Sequence, residues 1–242
     1  MSDRMILLHG VGLDRNVFEP LRAALGIETH AYDLRGSGEG PRWVDAASLP
    51  EFASDLWAEA DALGWEQFAL CGFSMGAMIA QFAALDQPER ISHLILLNPV
   101  FDRSAEQRAG VAARLETAMK EGPSEIIDAA LTRWFPAHFA PDALVASTRK
   151  RLETNDSSQF LKNYALFAEA DQALVEKVDG ITCPSFVATG SLDTGSTPEM
   201  TTNLAAKIPA AEAKIYEDAA HFLPLQFPKE LAQDILDWME RL

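Results

Sequence analysis

Short apolar runs alternate along this chain with longer segments in which apolar residues recur at helical spacing. Short apolar runs bounded by turn-forming residues are typical of strands in a parallel sheet, because helices cover both faces of such a sheet. The pattern predicts six strands, over residues 5–8, 28–32, 68–71, 94–97, 185–189 and 213–216.

Helix signals fall between these strands. Ser48 followed by Glu51 has the form of a capping box, in which the serine accepts from a first-turn amide and the glutamate reaches back. Behind it, apolar residues from 52 to 63 recur at helical spacing, and Gly64 is a suitable C-terminal cap. Two further helices are predicted over residues 75–85 and 229–241.

One long segment breaks this alternation. Residues 102–177 contain no convincing strand, only helical stretches interrupted by glycine and proline. We interpret this segment as a helical cap inserted after one strand. The prediction is an α/β protein forming a single domain over residues 1–242, with a core of about 1–100 and 178–242 and a cap of about 102–177. The core is a mainly parallel central sheet flanked by helices.

The run GFSMG at residues 72–76 lies between a predicted strand and a predicted helix. It matches the pattern G-x-S-x-G in the context that this pattern requires, a sharp turn with the serine at its tip. Such a turn crowds its flanking residues, so a side chain at Gly72 or Gly76 would clash. It also places the Ser74 hydroxyl beside a helix N-terminus, where the Met75 N–H faces developing negative charge. Ser74 is predicted to be a nucleophile, and a structural Gly-Ser turn is the alternative.

A second donor to the same negative charge is expected after an early strand. The first strand ends in His9-Gly10, and the next backbone N–H, that of Val11, can face the nucleophile. Val11 and Met75 are therefore the predicted oxyanion hole. His9 itself is expected to brace the loop by hydrogen bonds rather than to act as a general base.

A serine nucleophile needs a base, and the base needs an acid that orients it. His221 is the histidine that follows a late strand within a loop, and it is the predicted base. Asp193 follows the preceding strand and is the predicted acid, far enough ahead of His221 for one helix and one strand. Asp102 is the rival acid, whereas Asp218 lies too close along the loop to orient His221 well.

Other candidate features suggest no further chemistry. The glycine cluster at residues 33–41 lacks the pattern G-x-G-x-x-G, so we interpret it as a turn that packs against the turn at Ser74. Cys71 and Cys183 lie in or beside apolar runs, as buried reduced thiols do. No histidine pair has metal-ligand spacing. The sequence therefore predicts no cofactor and no metal.

Charge restricts the possible partners. The 242 residues include 36 acidic and 20 basic side chains, a formal net charge of −16. Such a surface would repel phosphate backbones and anionic lipid, so binding to nucleic acid or to a membrane surface is not expected. No apolar run approaches the ~18 residues of a membrane span, and the N-terminal apolar run is too short for a signal peptide. The predicted location is cytoplasmic.

With these residues placed, the chain resembles the α/β-hydrolase superfamily from about residue 5 to its end, in which nucleophile, acid and base follow in that order. The turn at residues 33–38 is similar to that of β-ketoadipate enol-lactonases and small carboxylesterases. The same holds for residues 72–80, the strand–turn–helix segment around Ser74 that is called the nucleophile elbow. The cap segment AALTRWFP at residues 129–136 is similar to the Arg-Trp-Phe segment of the enol-lactonases. Phe73 and Ala77 differ from the leucine and glycine expected in that family's elbow.

The resemblance implies a serine hydrolase that cleaves a carboxylic ester or lactone of a small molecule through an acyl-enzyme. An enol-lactone substrate would carry a carboxylate, and a protein of charge −16 must then supply positive charge locally. Arg133 is the candidate for that charge, with Trp134 as an apolar wall. The alternative is a solvated Arg133 and a Trp134 packed within the cap.

Three other functions remain open at this stage. A C–C bond hydrolase of dicarbonyl substrates and a cofactor-free perhydrolase would use the same triad. A non-catalytic small-molecule binder would typically have a broken triad, and here the triad is complete. Added salt is expected to help a carboxylated substrate bind by screening the acidic exterior, with little effect on a neutral ester.

Overall fold

The computed structural model describes residues 4–241. Its centre is a six-stranded sheet in the order β2-β1-β3-β4-β5-β6, in which every neighbouring pair is parallel. The six predicted strands are all present, although β4 begins earlier and β3 ends later than the sequence pattern indicates. The strands are β1 (Arg4–Leu8), β2 (Glu28–Ala31), β3 (Phe68–Phe73), β4 (Ile91–Leu97), β5 (Ser185–Gly190) and β6 (Ala211–Tyr216).

Both faces of the sheet are buried. Along β1, Ile6 and Leu8 belong to one hydrophobic core, whereas Met5 and Leu7 belong to the other. This alternation follows from the two-residue period of a strand. Helices α2 (Leu49–Leu63), α3 (Met75–Asp86) and α8 (Pro198–Lys207) cover the first face, and α1 (Glu19–Leu25) and α10 (Pro228–Glu240) cover the second.

Helix α1 has no counterpart among the predicted elements. It has only seven residues, with Pro20 in its first turn and Gly26 as a left-handed C-terminal cap at φ 64°. A helix of two turns carries too few apolar positions for a period to be recognised. Helix α9 (Leu223–Gln226), which follows His221, is shorter still.

Four helices lie between β4 and β5 in the chain. They are α4 (Ala105–Glu121), α5 (Ile127–Trp134), α6 (Asp142–Glu153) and α7 (Ser157–Leu174). Side chains from α4, α5 and α7 line one cavity together with side chains that follow β3 and β5. The predicted fold class, a parallel sheet flanked by helices with an inserted helical cap, is thereby confirmed. Over residues 4–241, no helix is long and apolar enough to cross a membrane.

Candidate active site

Ser74 lies at the tip of the turn between β3 and α3, with φ 56° and ψ −114°. A residue with a β-carbon is strained at positive φ and keeps this conformation only where its surroundings impose it. A β-carbon on Gly72 would lie 2.3 Å from the carbonyl oxygen of Gly76, and one on Gly76 would lie 1.9 Å from that of Leu8. The predicted crowding is present at both glycines, and at Gly76 it is set by strand β1.

Ser74, His221 and Asp193 form one chain of hydrogen bonds. His221 Nδ1 lies 2.8 Å from Asp193 Oδ2, and His221 Nε2 lies 3.2 Å from Ser74 Oγ. Because the carboxylate accepts, Nδ1 carries a proton and Nε2 is left to accept from the serine hydroxyl. All three residues are buried at the wall of the cavity. The structure therefore brings the predicted nucleophile, base and acid together.

The surroundings of Asp193 favour its ionised form. Burial by itself would raise the pKa of Asp193, but the adjacent His221 and several hydrogen bonds hold that pKa below its usual value. The carboxylate accepts from the backbone N–H groups of Gly195 and Ser196 at 2.9 and 3.0 Å, and from the Asn98 side-chain amide at 2.8 Å. Asn98 follows β4, the strand beside β5, and was not among the predicted site residues.

The rival acids lie outside this hydrogen-bond chain. Asp102 is exposed, at φ 45° in the segment before α4. Asp218 has φ 59°, its backbone N–H donates to Ser191 Oγ, and its carbonyl accepts from His138 Nε2. Positive φ at these two aspartates belongs to turns that lead into the cap and into the His221 loop.

The two predicted oxyanion donors come from two loops near Ser74, the turn that contains it and the loop after β1. Met75 is the first residue of α3, and the first N–H groups of a helix have no intrahelical acceptor. Val11 lines the same cavity as Ser74. Gly10 allows the close approach of its loop, because a β-carbon there would lie 3.2 Å from the Ser74 β-carbon.

His9 connects this loop to the turn after β2. Its Nδ1 donates to the carbonyl of Gly10 at 2.8 Å, and its Nε2 accepts from the Leu34 N–H at 3.0 Å. Burial lowers the pKa of His9, so the neutral ring that these contacts require is favoured. His9 braces the loop, as expected. The glycine-rich turn itself is held by Asp33, which accepts from the Arg15 and Glu39 N–H groups.

The cap contributes the opposite wall of the cavity. The Trp134 ring stacks on His221 with centroids 5.8 Å apart and planes at 21°, and it meets Phe222 edge-on. Arg133 lines the cavity and is half-buried. Burial lowers its pKa, the Arg114 charge lowers it further, and the Tyr164 and Asp193 charges oppose that shift.

Three polar cap residues that were not predicted from the sequence also line the cavity. Arg103 precedes α4, Arg114 lies within α4, and Tyr164 lies within α7. The Arg114 Nε donates to the Tyr164 hydroxyl at 3.2 Å. No local pattern marks these residues. Arg114 and Tyr164 lie in ordinary helical segments and Arg103 lies just before one, and each faces the cavity only through the packing of the helices.

The free cysteines take no part in the cavity. Cys71 and Cys183 are buried, and burial raises the pKa of Cys183 to about 11. Across residues 4–241, no group of three or more His, Cys, Asp or Glu side chains is arranged to hold a metal ion.

A sequence profile described as "Alpha/beta hydrolase family" matches residues 5–234 of this chain. Among curated relatives, an (E)-2-((N-methylformamido)methylene)succinate hydrolase of Acinetobacter baylyi is 27% identical over 241 residues, covering 99% of this chain and 91% of that protein. The 3-oxoadipate enol-lactonase 1 of the same organism is 25% identical, covering 95% and 85%.

Solved structures of hydrolases also have the fold of this chain. A thermophilic esterase from Thermogutta terrifontis superposes with a TM-score of 0.88 at 25% identity, covering 98% of this chain and 89% of that one. An enol-lactonase from Burkholderia xenovorans LB400 also has a TM-score of 0.88 at 25% identity, covering 99% and 92%. The fold and the resemblance predicted from the sequence are thus confirmed.

Proposed function

The chain belongs to the alpha/beta hydrolase family, and from that premise we propose that it is a serine hydrolase of small-molecule carboxylic esters or lactones. The observation that carries the proposal is the hydrogen-bond chain from Ser74 through His221 to Asp193 at the wall of a cavity. An acyl-enzyme mechanism needs a nucleophile, a base and an orienting acid in that order of contact.

In acylation, Ser74 Oγ attacks the substrate carbonyl carbon as its proton passes to His221 Nε2. Asp193 keeps the imidazole in the required tautomer and stabilises the positive charge that develops on it. The tetrahedral oxyanion is held by the Val11 and Met75 N–H groups. The bond to the leaving oxygen then breaks, and His221 gives its proton to that oxygen.

Deacylation repeats these steps with water. His221 removes a proton from a water molecule that attacks the acyl carbon, and the second tetrahedral oxyanion occupies the same two N–H groups. When the bond to Ser74 Oγ breaks, His221 returns the proton to the serine. The products are a carboxylic acid and an alcohol, or a single hydroxy acid from a lactone. With an enol-lactone, the leaving enolate becomes a ketone, which makes ring opening favourable.

The cap supports a substrate that carries a carboxylate. Arg133 places a half-buried positive charge in a cavity that also contains Ser74, and Trp134 provides an apolar surface against His221. A guanidinium binds a carboxylate through two parallel hydrogen bonds. The 3-oxoadipate enol-lactonase among the relatives favours an enol-lactone within this class. The proposal keeps the cytoplasmic location, and it includes no nucleic-acid or membrane partner and no cofactor.

A second candidate is hydrolysis of an acidic amide-type substrate. The relative that covers 99% of this chain has a name that describes a hydrolase of an N-methylformamido-substituted succinate. The same triad would serve, with nitrogen rather than oxygen protonated by His221 as the leaving atom. C–C bond hydrolysis and perhydrolysis also use these residues, and they are distinguished by substrate.

The test is a substrate panel with purified protein. An aryl acetate, a carboxylated enol-lactone, an N-formyl enamine of a dicarboxylate and a dicarbonyl compound are compared by kcat/KM. We expect the carboxylated enol-lactone to be hydrolysed with a higher kcat/KM than the aryl acetate, and Ser74→Ala to reduce turnover of every substrate by about 10⁴-fold or more. Ser185→Ala is the matched control, because Ser185 is another buried serine and lies outside the cavity.

The two levels of the proposal fail separately. If Ser74→Ala hydrolyses the aryl ester as fast as the wild type, the serine-hydrolase mechanism is wrong. If the wild type hydrolyses simple esters but no carboxylated lactone, the lactonase assignment is wrong while the mechanism stands. Faster turnover of the enamine or the dicarbonyl compound would assign the corresponding alternative.

A further inference from the structure

Three arginines line the cavity, and we refer to them as the cap arginines: Arg103, Arg114 and Arg133. Three guanidinium groups around one small cavity are unusual in a chain of net charge −16. Like charges destabilise one another unless carboxylates or a ligand neutralise them. The state of pairing of each cap arginine therefore indicates how much negative charge the cavity is built to receive.

Two of the cap arginines have no carboxylate partner. Within the described range 4–241, no Asp or Glu oxygen lies within 4.0 Å of the guanidinium nitrogens of Arg114 or Arg133. Arg108 also lacks such a partner, but its Nη1 donates to the Arg103 carbonyl. Every other arginine of the described chain forms an ion pair. In an acidic protein, two unpaired arginines in one cavity are thus an exception.

Arg103 is paired but not saturated. Its Nη1 lies 2.8 Å from Asp171 Oδ1, and its backbone N–H donates to Asp171 Oδ2 at 3.1 Å. The Arg103 side chain is only 2% exposed, and its Nη2 is buried without a hydrogen-bond partner. A buried donor that water does not reach is costly to leave unpaired. Arg103 lines the cavity, so an acceptor bound there would satisfy this donor once the guanidinium turns toward it.

The charges of the cap arginines act on one another. Burial lowers the pKa of Arg133, and its neighbours in charge include both Asp193 and Arg114. Burial also lowers the pKa of Arg103, with Asp171 opposing that shift and Arg114 adding to it. Arg114 is therefore close enough to both of the other cap arginines for its charge to act on them.

We propose that the cavity binds a substrate with two carboxylates, the first on Arg133 near the reacting carbonyl and the second on Arg114 and the free Nη2 of Arg103. The Tyr164 hydroxyl accepts from Arg114 Nε and so holds that guanidinium in place. This inference rests on the proposed function, because it assigns the substrate class of the same cavity. Apolar side chains that line the same cavity, among them Ile127 and Ala130, suit the carbon chain that joins two carboxylates.

The test measures inhibition of aryl acetate hydrolysis by acids matched in carbon number. Succinate, glutarate and adipate are compared with butyrate, pentanoate and hexanoate. We expect the best dicarboxylate to bind at least about 10-fold more tightly than its matched monocarboxylate, as a second charge-assisted contact implies. Arg114→Gln should remove most of this advantage, and Arg114→Lys should restore part of it. Arg133→Gln should weaken binding of both acids.

Arg149→Gln is the matched control. Arg149 is an arginine of the same cap, half-buried on α6 and paired with Asp128 outside the cavity, so its loss should leave all inhibition constants unchanged. Equal inhibition by matched mono- and dicarboxylates would overturn the inference, and so would a dicarboxylate advantage that survives in Arg114→Gln. Tighter inhibition by inorganic phosphate than by every dicarboxylate would assign the arginines to a phosphoryl group instead.

Calorimetry separates this inference from the proposed function. Binding of the same acids to Ser74→Ala requires no turnover, so a dicarboxylate preference there supports the second subsite even if no ester is hydrolysed. If the protein hydrolyses simple esters but shows no preference for dicarboxylates, the proposed hydrolase function stands and the second carboxylate subsite is wrong. A thermal melt of each variant shows whether it is folded, and Arg114→Lys provides the comparison if Arg114→Gln is not.

Discussion

The strand ends and the cap supply the cavity with side chains in opposite states of pairing. At the strand ends, the Asp193 carboxylate accepts from His221, from Asn98 and from two backbone amides. In the cap, Arg114 and Arg133 have no carboxylate partner within 4.0 Å in the described part of the chain. The groups assigned to bond cleavage are thus oriented by the protein itself, whereas two of the three arginines assigned to recognition are left to pair with a ligand.

The largest effect is expected from a substitution at the strand ends that removes the Asp193 carboxylate. Asp193→Asn should lower kcat for any ester by about 10⁴-fold, because the amide no longer selects the tautomer in which Nε2 accepts from Ser74. Asp102→Asn is the control, since this rival acid is exposed and should change kcat by less than about 2-fold. Steady-state kinetics of both variants would contradict the assignment if Asp102→Asn were the inactive one.

Replacing a glycine by alanine should have opposite effects on stability in the two regions. Gly76→Ala should destabilise the fold by about 3 kcal/mol or more, because its β-carbon would meet the Leu8 carbonyl oxygen at 1.9 Å. Gly110→Ala in cap helix α4 should stabilise by about 0.5–1 kcal/mol, because alanine is the better helix former. There the new β-carbon would lie 3.6 Å from Arg114 Nη1, an ordinary contact.

Denaturant unfolding of both variants tests this pair of predictions. A Gly76→Ala protein as stable as the wild type would mean that the turn at Ser74 can relax away from β1. A destabilised Gly110→Ala protein would mean that α4 requires glycine at this position.

The acid dependence of stability should follow Asp193. Its pKa is lowered in the folded protein from an ordinary value of 3.8. The ionised carboxylate therefore contributes stability that is present above about pH 4 and is lost as the pH falls through the folded-state pKa. Between about pH 5 and pH 2.5, the wild type should lose more unfolding free energy than Asp193→Asn does. Parallel pH profiles of the two proteins would contradict this expectation.

Added salt should have the smallest of these effects, a change in KM, and it tests the recognition of charge by the cap. Raising salt from about 0.01 M to about 0.1 M shortens the Debye length from about 30 Å to about 10 Å. Repulsion between a carboxylated substrate and the −16 exterior is then screened, while the half-buried Arg133 is screened less. KM for the carboxylated substrate should fall by about 2–3-fold, with that of a neutral ester unchanged. A rise in KM for the charged substrate would show that exterior repulsion is not limiting.

The strand-end residues could be predicted because short, ordered signals mark them. The G-x-S-x-G run, the aspartate after β5 and the histidine after β6 each follow a recognisable apolar strand. Residues that follow parallel strands all lie at the carboxyl-end edge of the sheet. The order of the strands in the sequence is therefore enough to predict that Ser74, Asp193 and His221 lie together. Asn98 also follows a strand, but an asparagine before a proline is equally typical of a turn.

The cap could be predicted only as a helical insertion. Arg133 and Trp134 were identified by resemblance, but Arg103, Arg114 and Tyr164 were not, because helical periodicity does not say which neighbour a face will meet. Whether a half-buried arginine faces a cavity, a carboxylate or solvent depends on how α4, α5 and α7 pack.

By itself, the sequence determined the α/β alternation, the parallel sheet, the place of the insertion and the three residues that form one hydrogen-bond chain, Ser74, His221 and Asp193. Those features depend on local periods and on the backbone demands of glycine, which act over a few residues. Tertiary structure alone decided that Asn98 donates to Asp193, that Trp134 stacks on His221 and that three arginines converge on one cavity. These contacts join segments far apart in the chain, and their geometry is set by helix packing rather than by any local pattern.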